Sequence, residues 1–132
     1  MQRNSTMKFS APKDCGNSPK RELIKSICLA LVEKDMEGIY RHLSDDIIWE
    51  FVEDVKLSGK DAVKDFFEKN RMGQVEGMIL DYILTHGNQG SAGGKIILSE
   101  YSIHFADFYE FKSTKSTQIK KIKSFIVRDT EA

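Results

Sequence analysis

The spacing of apolar residues in the first third of the chain predicts two helices. One apolar stripe recurs at helical spacing, formed by Leu23, Ile24, Ile27, Cys28 and Leu31. Ser18 and Pro19 precede it and are typical of a helix start, because serine caps the first N–H groups and proline lacks one that would be unpaired. We therefore predict a helix over residues 18–34, and the same pattern over 35–43 predicts a second, short helix.

The pattern then alternates between strand and helix. Residues 47–52 are β-branched and aromatic in alternation, which predicts a strand, and the break at Ser58 and Gly59 precedes a third amphipathic helix over 60–70. From residue 75 onward the period is two, with strands predicted over 78–86, 93–98, 102–112 and 117–128. Helices followed by an antiparallel meander predict an α+β fold, in which one curved sheet packs its inner face on the helices and leaves a pocket at the open end.

The length of 132 residues fits one domain. We expect an N-terminal arm over 1–17, a folded domain over 18–128 and a short tail over 129–132. Either Met1 or Met7 could be the natural start. Cys15 lies in the arm just ahead of the first helix, where helix N–H groups could lower the pKa of a thiol, but a loop cysteine without a role is the simpler interpretation.

Composition argues against several kinds of partner. With 20 basic and 20 acidic residues the chain has no net charge, so neither nucleic acid nor a membrane is an expected partner. No apolar run long enough for a leader or a membrane span is present, and a cytoplasmic location is expected. The 3 histidines and 2 cysteines lack metal-ligand spacing, and "GNQGSAGGK" over 87–95 lacks the spacing of a phosphate-binding loop. We therefore expect no metal and no cofactor, and a glycine-rich hairpin over 87–95.

One acid lies within the aromatic segment "FADFYEF" of 105–111. Strand alternation places Asp107 on the same side as Phe105 and Tyr109, and the aromatic character of that side predicts that it faces inward. An inward acid is either satisfied by hydrogen-bond donors or a cation, or protonated near neutral pH in a dry pocket. Two interpretations stay open: an acid that faces a ligand cavity, or one at the rim that bonds only to protein.

Three segments together resemble a known superfamily. They are "ALVEKDMEGIYRHLSDDIIWEFV" (30–52), "LSGKDAVKDFFEKN" (57–70) and "FADFYEF" with "IKKIKSFIV" (119–127), and their order is similar to that of SnoaL-like members of the nuclear transport factor 2-like superfamily, which includes ketosteroid isomerases. The resemblance covers residues 18–128. It implies a cone of three helices wrapped by a strongly curved, mostly antiparallel mixed sheet, an internal pocket, and a homodimer formed through the convex sheet face.

The resemblance transfers to individual residues only in part. Asp107 falls where ketosteroid isomerases hold a protonated acid, a case that is a standard example of an acid kept neutral by an apolar site. Phe51 occupies the position of their catalytic base and Ile27 that of their oxyanion tyrosine, and neither side chain can transfer a proton or donate a hydrogen bond. Steroid isomerisation by that mechanism is therefore not expected.

The expected partner is a small apolar or aromatic molecule. The candidate catalytic residues are Asp107 and His86, the latter because the pKa of an unperturbed imidazole lies near neutral pH. The expected ligand-facing side chains are Trp49, Phe51, Ile27, Phe66, Tyr82, Phe105, Tyr109 and Ile126. Packing of these aromatic residues within an ordinary core is the alternative interpretation. The functions left open are a binding protein, an acid–base enzyme of isomerase, cyclase, dehydratase or hydrolase type, and a non-catalytic dimerisation module.

Overall fold

The computed structural model describes residues 7–12 and 18–129, which form three helices and seven strands. The helices are α1 (Pro19–Glu33), α2 (Glu37–Tyr40) and α3 (Lys60–Lys69). The strands are β1 (Lys8–Ser10), β2 (Leu43–Phe51), β3 (Val55–Ser58), β4 (Val75–His86), β5 (Gln89–Leu98), β6 (Ser102–Phe111) and β7 (Ile119–Asp129). Cys15 lies outside the described residues.

All seven strands join one mixed sheet in the order β1-β4-β5-β6-β7-β2-β3. The strands from β4 to β7 form an antiparallel meander, whereas β1 runs parallel to β4 and β2 runs parallel to β7. Helix α1 packs against β4 and β5, and α3 packs against β2 and β3. We call the helix-covered side the inner face and the opposite side the outer face. This arrangement confirms the predicted α+β architecture.

The start of α1 confirms its sequence signal. The Ser18 hydroxyl oxygen accepts a hydrogen bond from the Arg21 backbone N–H at 3.2 Å, and Pro19 is the first helical residue. The helix ends at Lys34, whose left-handed backbone (φ 62°) turns its N–H back to the Ala30 and Leu31 carbonyls. The position of α1 matters for the site, because the inner side of this helix carries Ile27 and Cys28, both buried.

Two short strands were not predicted. β3 forms a hairpin with β2 after a tight turn in which Glu53 has φ 69°, and β1 adds three residues beside Gly77–Ile79. Segments of three or four residues are too short to display a period, and only their pairing partners identify them. β2 also begins earlier than predicted, at Leu43, because an irregularity between Leu43 and Ile48 breaks the alternation of its first half.

A β-bulge in β4 decides which side chains face inward. Met78 and Leu80 lie opposite Ile96 and Gly94 of β5, but the register shifts between Leu80 and Tyr82. Beyond the bulge Ile83 is the buried residue, so Tyr82 takes the outer face. Gly94 is required at this bulge, because a Cβ there would lie 1.9 Å from the Ile79 carbonyl oxygen. No helix in the described part of the chain is long and apolar enough to cross a membrane.

Candidate functional site

A cavity of about 830 Å³ lies between the inner face of the sheet and the helices. Its walls come from α1, α2, α3 and the strands β2, β4, β5, β6 and β7. The interior lining is mainly apolar and aromatic, and includes Ile27, Cys28, Ile39, Tyr40, Trp49, Phe51, Phe66, Phe67, Met78, Ile96, Ile103, Phe105 and Tyr109. A volume of this size falls in the range of small-molecule sites.

Asp107 lies at the centre of a hydrogen-bonded chain of side chains in this cavity. The Tyr109 hydroxyl donates to Asp107 Oδ2 at 3.2 Å. Ser124 is paired with Asp107 across β6 and β7, and its hydroxyl acts to lower the pKa of the acid. Trp49 Nε1 donates to Ser124 Oγ at 3.0 Å. At the other end Cys28 Sγ lies 3.9 Å from the Tyr109 hydroxyl oxygen. Four elements, α1, β2, β6 and β7, therefore orient one carboxyl group.

Burial raises the pKa values of these contacting side chains. Removal from water raises the pKa of Asp107 from 3.8 to about 6, although the hydrogen bonds from Ser124 and Tyr109 oppose that rise. Burial, reinforced by the nearby Asp107 charge, raises the pKa of Cys28 to about 12 and that of Tyr109 well above its ordinary value. Cys28 and Tyr109 thus stay neutral, and among these contacting side chains Asp107 is the one that titrates near neutral pH.

Aromatic rings form one wall of the cavity. Trp49 and Phe51 stack with their ring centroids 5.5 Å apart and their planes 10° apart. Phe67 meets Trp49 edge-on at 5.2 Å, and Phe66 packs on Phe51 at 5.2 Å. These contacts hold the rings in fixed orientations, because offset and edge-on pairs are the favoured geometries of aromatic side chains. The wall therefore offers a preformed apolar surface near the acid.

The mouth of the cavity is charged. Two basic residues, Lys34 and Arg71, line it together with three acidic residues, Glu37, Asp54 and Glu68. The Lys34 ammonium donates to the Met72 carbonyl at 3.1 Å, which fixes it at the edge. Including Asp107, the lining carries four acids and two bases, whereas the whole chain is balanced.

The cavity brings together most of the residues that the sequence singled out. Asp107 lines it, and so do seven of the eight expected ligand-facing side chains, namely Trp49, Phe51, Ile27, Phe66, Phe105, Tyr109 and Ile126. Ile126 is at the mouth, with 47% of its surface exposed. Trp49 also fits the alternative interpretation of a packed core residue. It is 5% exposed, and its indole ring contacts Phe51 and Phe67.

Two of the singled-out residues lie elsewhere. Tyr82 faces the outer side of the sheet, where its ring lies over Gly93, because the bulge in β4 reverses the alternation on which its inward assignment depended. His86 is at the exposed end of β4, beside a separate depression of about 410 Å³ that includes Ser18 and Thr114. Neither residue lines the cavity that contains Asp107, so the structure does not bring a histidine to the acid.

Sequence reasoning missed Ser124 and Cys28 as members of the site. Ser124 lies between Ile122 and Ile126 on the inner side of β7, so a polar residue within an apolar alternation was the available signal. The place of Ser124 in the site could be recognised only from the strand register that pairs it with Asp107. Cys28 was assigned to the apolar stripe of α1, which is correct, but its contact with Tyr109 depends on how the helix docks.

Comparison with solved structures identifies the fold. The chain is similar to a nuclear transport factor 2-like protein of unknown function from Burkholderia xenovorans, with 16% identity, 86% of each chain covered and a TM-score of 0.72. It is also similar to a candidate ketosteroid isomerase from Kribbella flavida, with 15% identity, 86% of this chain and 81% of that chain covered, and a TM-score of 0.71. A candidate SnoaL-like polyketide cyclase from Shewanella putrefaciens matches at 13% identity over 84% of this chain and 91% of that chain, with a TM-score of 0.70.

These likenesses confirm the fold that the sequence resemblance implied. At such identities they establish the architecture alone, a nuclear transport factor 2-like α+β fold whose solved relatives include proteins with names of small-molecule enzymes. No family model matches the sequence, and no curated protein matches it. The activity of this chain must therefore be argued from its own cavity.

Proposed function

We propose that this chain, which has the nuclear transport factor 2-like fold, binds a small and largely apolar molecule in the cavity beside Asp107. The observation that carries the proposal is a carboxyl group directed into an aromatic-lined hollow of about 830 Å³. Asp107 keeps part of its surface open to the cavity, but a carboxylate there is costly to an empty fold, because its charged form is less well solvated than in bulk water. A site built only for packing would have no need for it.

The fixed orientation of the carboxyl group also supports a binding role. Tyr109 donates a hydrogen bond to it, Ser124 is paired with it across β6 and β7, and Trp49 in turn orients Ser124. The hydrogen bond from Tyr109 leaves further acceptor positions of the carboxylate for a ligand in the cavity, since a carboxylate offers about four lone-pair sites. A ligand with an apolar body and one polar group would satisfy both the walls and those remaining positions.

Binding in the cavity is tested with a compact apolar probe and a blocked mouth. We expect 1-adamantanol to bind the wild type in isothermal titration calorimetry and Ile126→Trp to weaken its affinity at least tenfold, because Ile126 lines the mouth. Ser26→Trp is the control, since Ser26 is exposed on α1 and belongs neither to the lining of the cavity nor to the outer face of the sheet, and we expect a change below twofold. Equal affinity for all three proteins would contradict binding in this cavity, as would no binding by the wild type.

An acid–base enzyme is the second candidate, and one observation favours it. The pKa of Asp107, raised by burial to about 6, lies where a carboxyl group can both give and accept a proton at neutral pH. Asp107 would act as the acid or hydrogen-bond donor toward a small cyclic or carbonyl compound. If Asp107→Asn retained full turnover of a compound found to be converted by the wild type, this candidate would be rejected.

A homodimer through the outer face is the assembly that we propose for the chain. Leu84, Phe108, Phe125 and Val127 are 62%, 48%, 40% and 64% exposed, and they lie on that face on β4, β6 and β7. The Phe108 and Phe125 rings of the adjacent strands β6 and β7 already meet edge-on at 5.9 Å, which makes an exposed aromatic pair on this face. A second copy offers the same surface, so face-to-face packing would cover both.

The assembly is tested by light scattering after size-exclusion chromatography. We expect the wild type to have the mass of two chains and Phe108→Asp the mass of one, because a charge at the centre of an apolar contact is costly. Glu100→Lys, in the exposed turn between β5 and β6, is the control and should leave the mass unchanged. A wild type with the mass of one chain at micromolar concentration would refute the dimer.

A further inference from the structure

No cationic side chain among the described residues forms an ion pair with the carboxylate in the cavity. The ion pairs that join the described residues involve Glu22, Asp45, Asp65, Glu110 and Asp129, and none of them involves Asp107. Asp107 receives a hydrogen bond from the neutral Tyr109 hydroxyl, and the nearby Ser124 hydroxyl is neutral as well. In its charged form it therefore remains uncompensated, in a place where a single charge is poorly solvated.

The surroundings of Asp107 favour a positive charge. Trp49, Phe51, Phe66 and Phe67 line the same cavity, and the faces of aromatic rings attract cations. The protein already uses this contact on its surface, where the Lys123 ammonium lies 5.9 Å from the centroid of Phe125. The lining also carries four acids against two bases, and a cleft with an excess of one sign concentrates ions of the opposite sign.

We propose that the ligand of this cavity is an organic cation, in which an apolar body carries an ammonium group that Asp107 receives beside the aromatic wall. This inference rests on the proposed function and narrows it to one ligand class. The ammonium group would supply the positive charge that the residues at 7–12 and 18–129 do not provide to Asp107. The apolar body would fill the space between the aromatic wall and the side chains of α1, such as Ile27.

For a neutral carbonyl or hydroxyl ligand, we expect the opposite dependence of affinity on pH from that of a cation. Such a ligand is best received by the protonated acid, which can donate a hydrogen bond, so its affinity rises as the pH falls. A cation requires the ionised acid, so its affinity falls as the pH falls through the pKa of Asp107, which burial raises to about 6. The other titratable groups of the chain around Asp107, Cys28 from α1 and Tyr109 from β6, have raised pKa values and stay neutral throughout.

The decisive experiment compares probes of one shape and different charge. We expect 1-adamantylammonium to bind the wild type at least tenfold more tightly than 1-adamantanol at pH 7.5, and 1-adamantanecarboxylate to bind least. Trp49 is the single tryptophan of the chain and lines the cavity, so its fluorescence reports binding directly. Between pH 7.5 and pH 5.0 the preference for the ammonium probe should fall by about tenfold, following the loss of the carboxylate.

Two variants separate the buried acid from the charged mouth. Asp107→Asn should reduce the preference for ammonium over alcohol to below twofold, because the variant has no negative charge to receive the ammonium group. Asp54→Asn removes a lining acid at the exposed turn after β2 and should leave most of the preference intact. Because Asp54→Asn and Asp107→Asn each remove one negative charge from the lining, the difference between them shows what Asp107 contributes beyond the overall charge of the lining.

Several outcomes would overturn the inference. These are equal binding of alcohol and ammonium by the wild type, a preference that survives Asp107→Asn, or a preference that grows as the pH falls. If 1-adamantanol binds and Ile126→Trp abolishes that binding, the proposed binding function stands even when the cation preference is absent. If none of the three probes changes the fluorescence of Trp49 or gives heat on titration, both proposals fail together.

Discussion

Replacement of Asp107 by asparagine should stabilise the empty fold, and by more at pH 7.5 than at pH 5.0. The substitution keeps the shape of the side chain and one acceptor oxygen but removes the ionisable group. The pKa of Asp107 is raised by burial from 3.8 to about 6, so the folded chain holds its proton more tightly than the unfolded chain does. This group therefore contributes favourably to the free energy of unfolding at low pH, and that contribution is lost as the pH rises from 3.8 to about 6.

The size of the effect follows from the same shift. Above the folded pKa the ionised acid costs about 3 kcal/mol relative to its unfolded state, at 1.36 kcal/mol per pKa unit. At pH 5.0 most of the folded acid is protonated, and the cost falls to about 1.5 kcal/mol. Loss of one hydrogen bond in the variant would subtract about 1 kcal/mol at both pH values. The gain from Asp107→Asn should thus be larger at pH 7.5 than at pH 5.0 by about 1.5 kcal/mol, whatever the hydrogen bond contributes.

Urea unfolding followed by the fluorescence of Trp49 measures this difference. Free energies of unfolding are determined for the wild type and Asp107→Asn at both pH values, so that other titrating groups cancel between the two proteins. Asp81→Asn, at an exposed position of β4, is the matched control and should change stability by less than about 0.5 kcal/mol at either pH. A gain that is equal at the two pH values, or larger at pH 5.0, would refute the assignment of Asp107 as a buried acid.

Two further substitutions test the parts of the structure that hold the site. Ser124→Ala should destabilise the fold by about 2 kcal/mol, because it leaves the buried Trp49 Nε1–H without its acceptor and removes a donor to Asp107; a loss below 0.5 kcal/mol in urea unfolding would contradict the hydrogen-bonded chain. Gly94→Ala should destabilise by more than about 3 kcal/mol or prevent folding, because the added Cβ would lie 1.9 Å from the Ile79 carbonyl oxygen. Gly73→Ala is its control, since no atom lies within 4 Å of the corresponding Cβ, and unfolding midpoints that match for the two alanine variants would refute the tight contact at the bulge.

The long elements of the fold could be predicted because they depend on local patterns. The capped start at Ser18, the apolar stripe of α1 and the alternation of β6 each require only neighbouring residues. The short strands β1 and β3 could not be predicted, since their identity depends on pairing with residues far away in the chain or across a tight turn. The resemblance to a known superfamily supplied the mixed character of the sheet, which the pattern alone did not indicate.

The site was predicted where strands are regular and was missed where they are not. Asp107 lies on β6, which pairs with β5 in unbroken register, so alternation gave its direction correctly. Tyr82 lies just past an irregularity in β4, and a shift of one residue sends every later side chain to the other face. Ser124 shows a second limit, because a polar residue in an apolar alternation acquires its role only from the strand register that places it opposite an acid.

The energetics of Asp107 connect stability with the proposed ligand. About 3 kcal/mol of lost stability at neutral pH is a large part of the usual margin of a small domain, so an uncompensated carboxylate is a costly feature in an empty cavity. A bound ammonium would return the missing charge, and the free energy that the empty fold loses would then reappear as ligand affinity and selectivity. The two proposals about Asp107 are therefore linked: if Asp107→Asn stabilises the empty chain more at high pH, the same variant should lose the cation preference. Stabilisation without that loss would mean that Asp107 is not the source of the cation preference, and the inference of an ammonium ligand at this acid would fail.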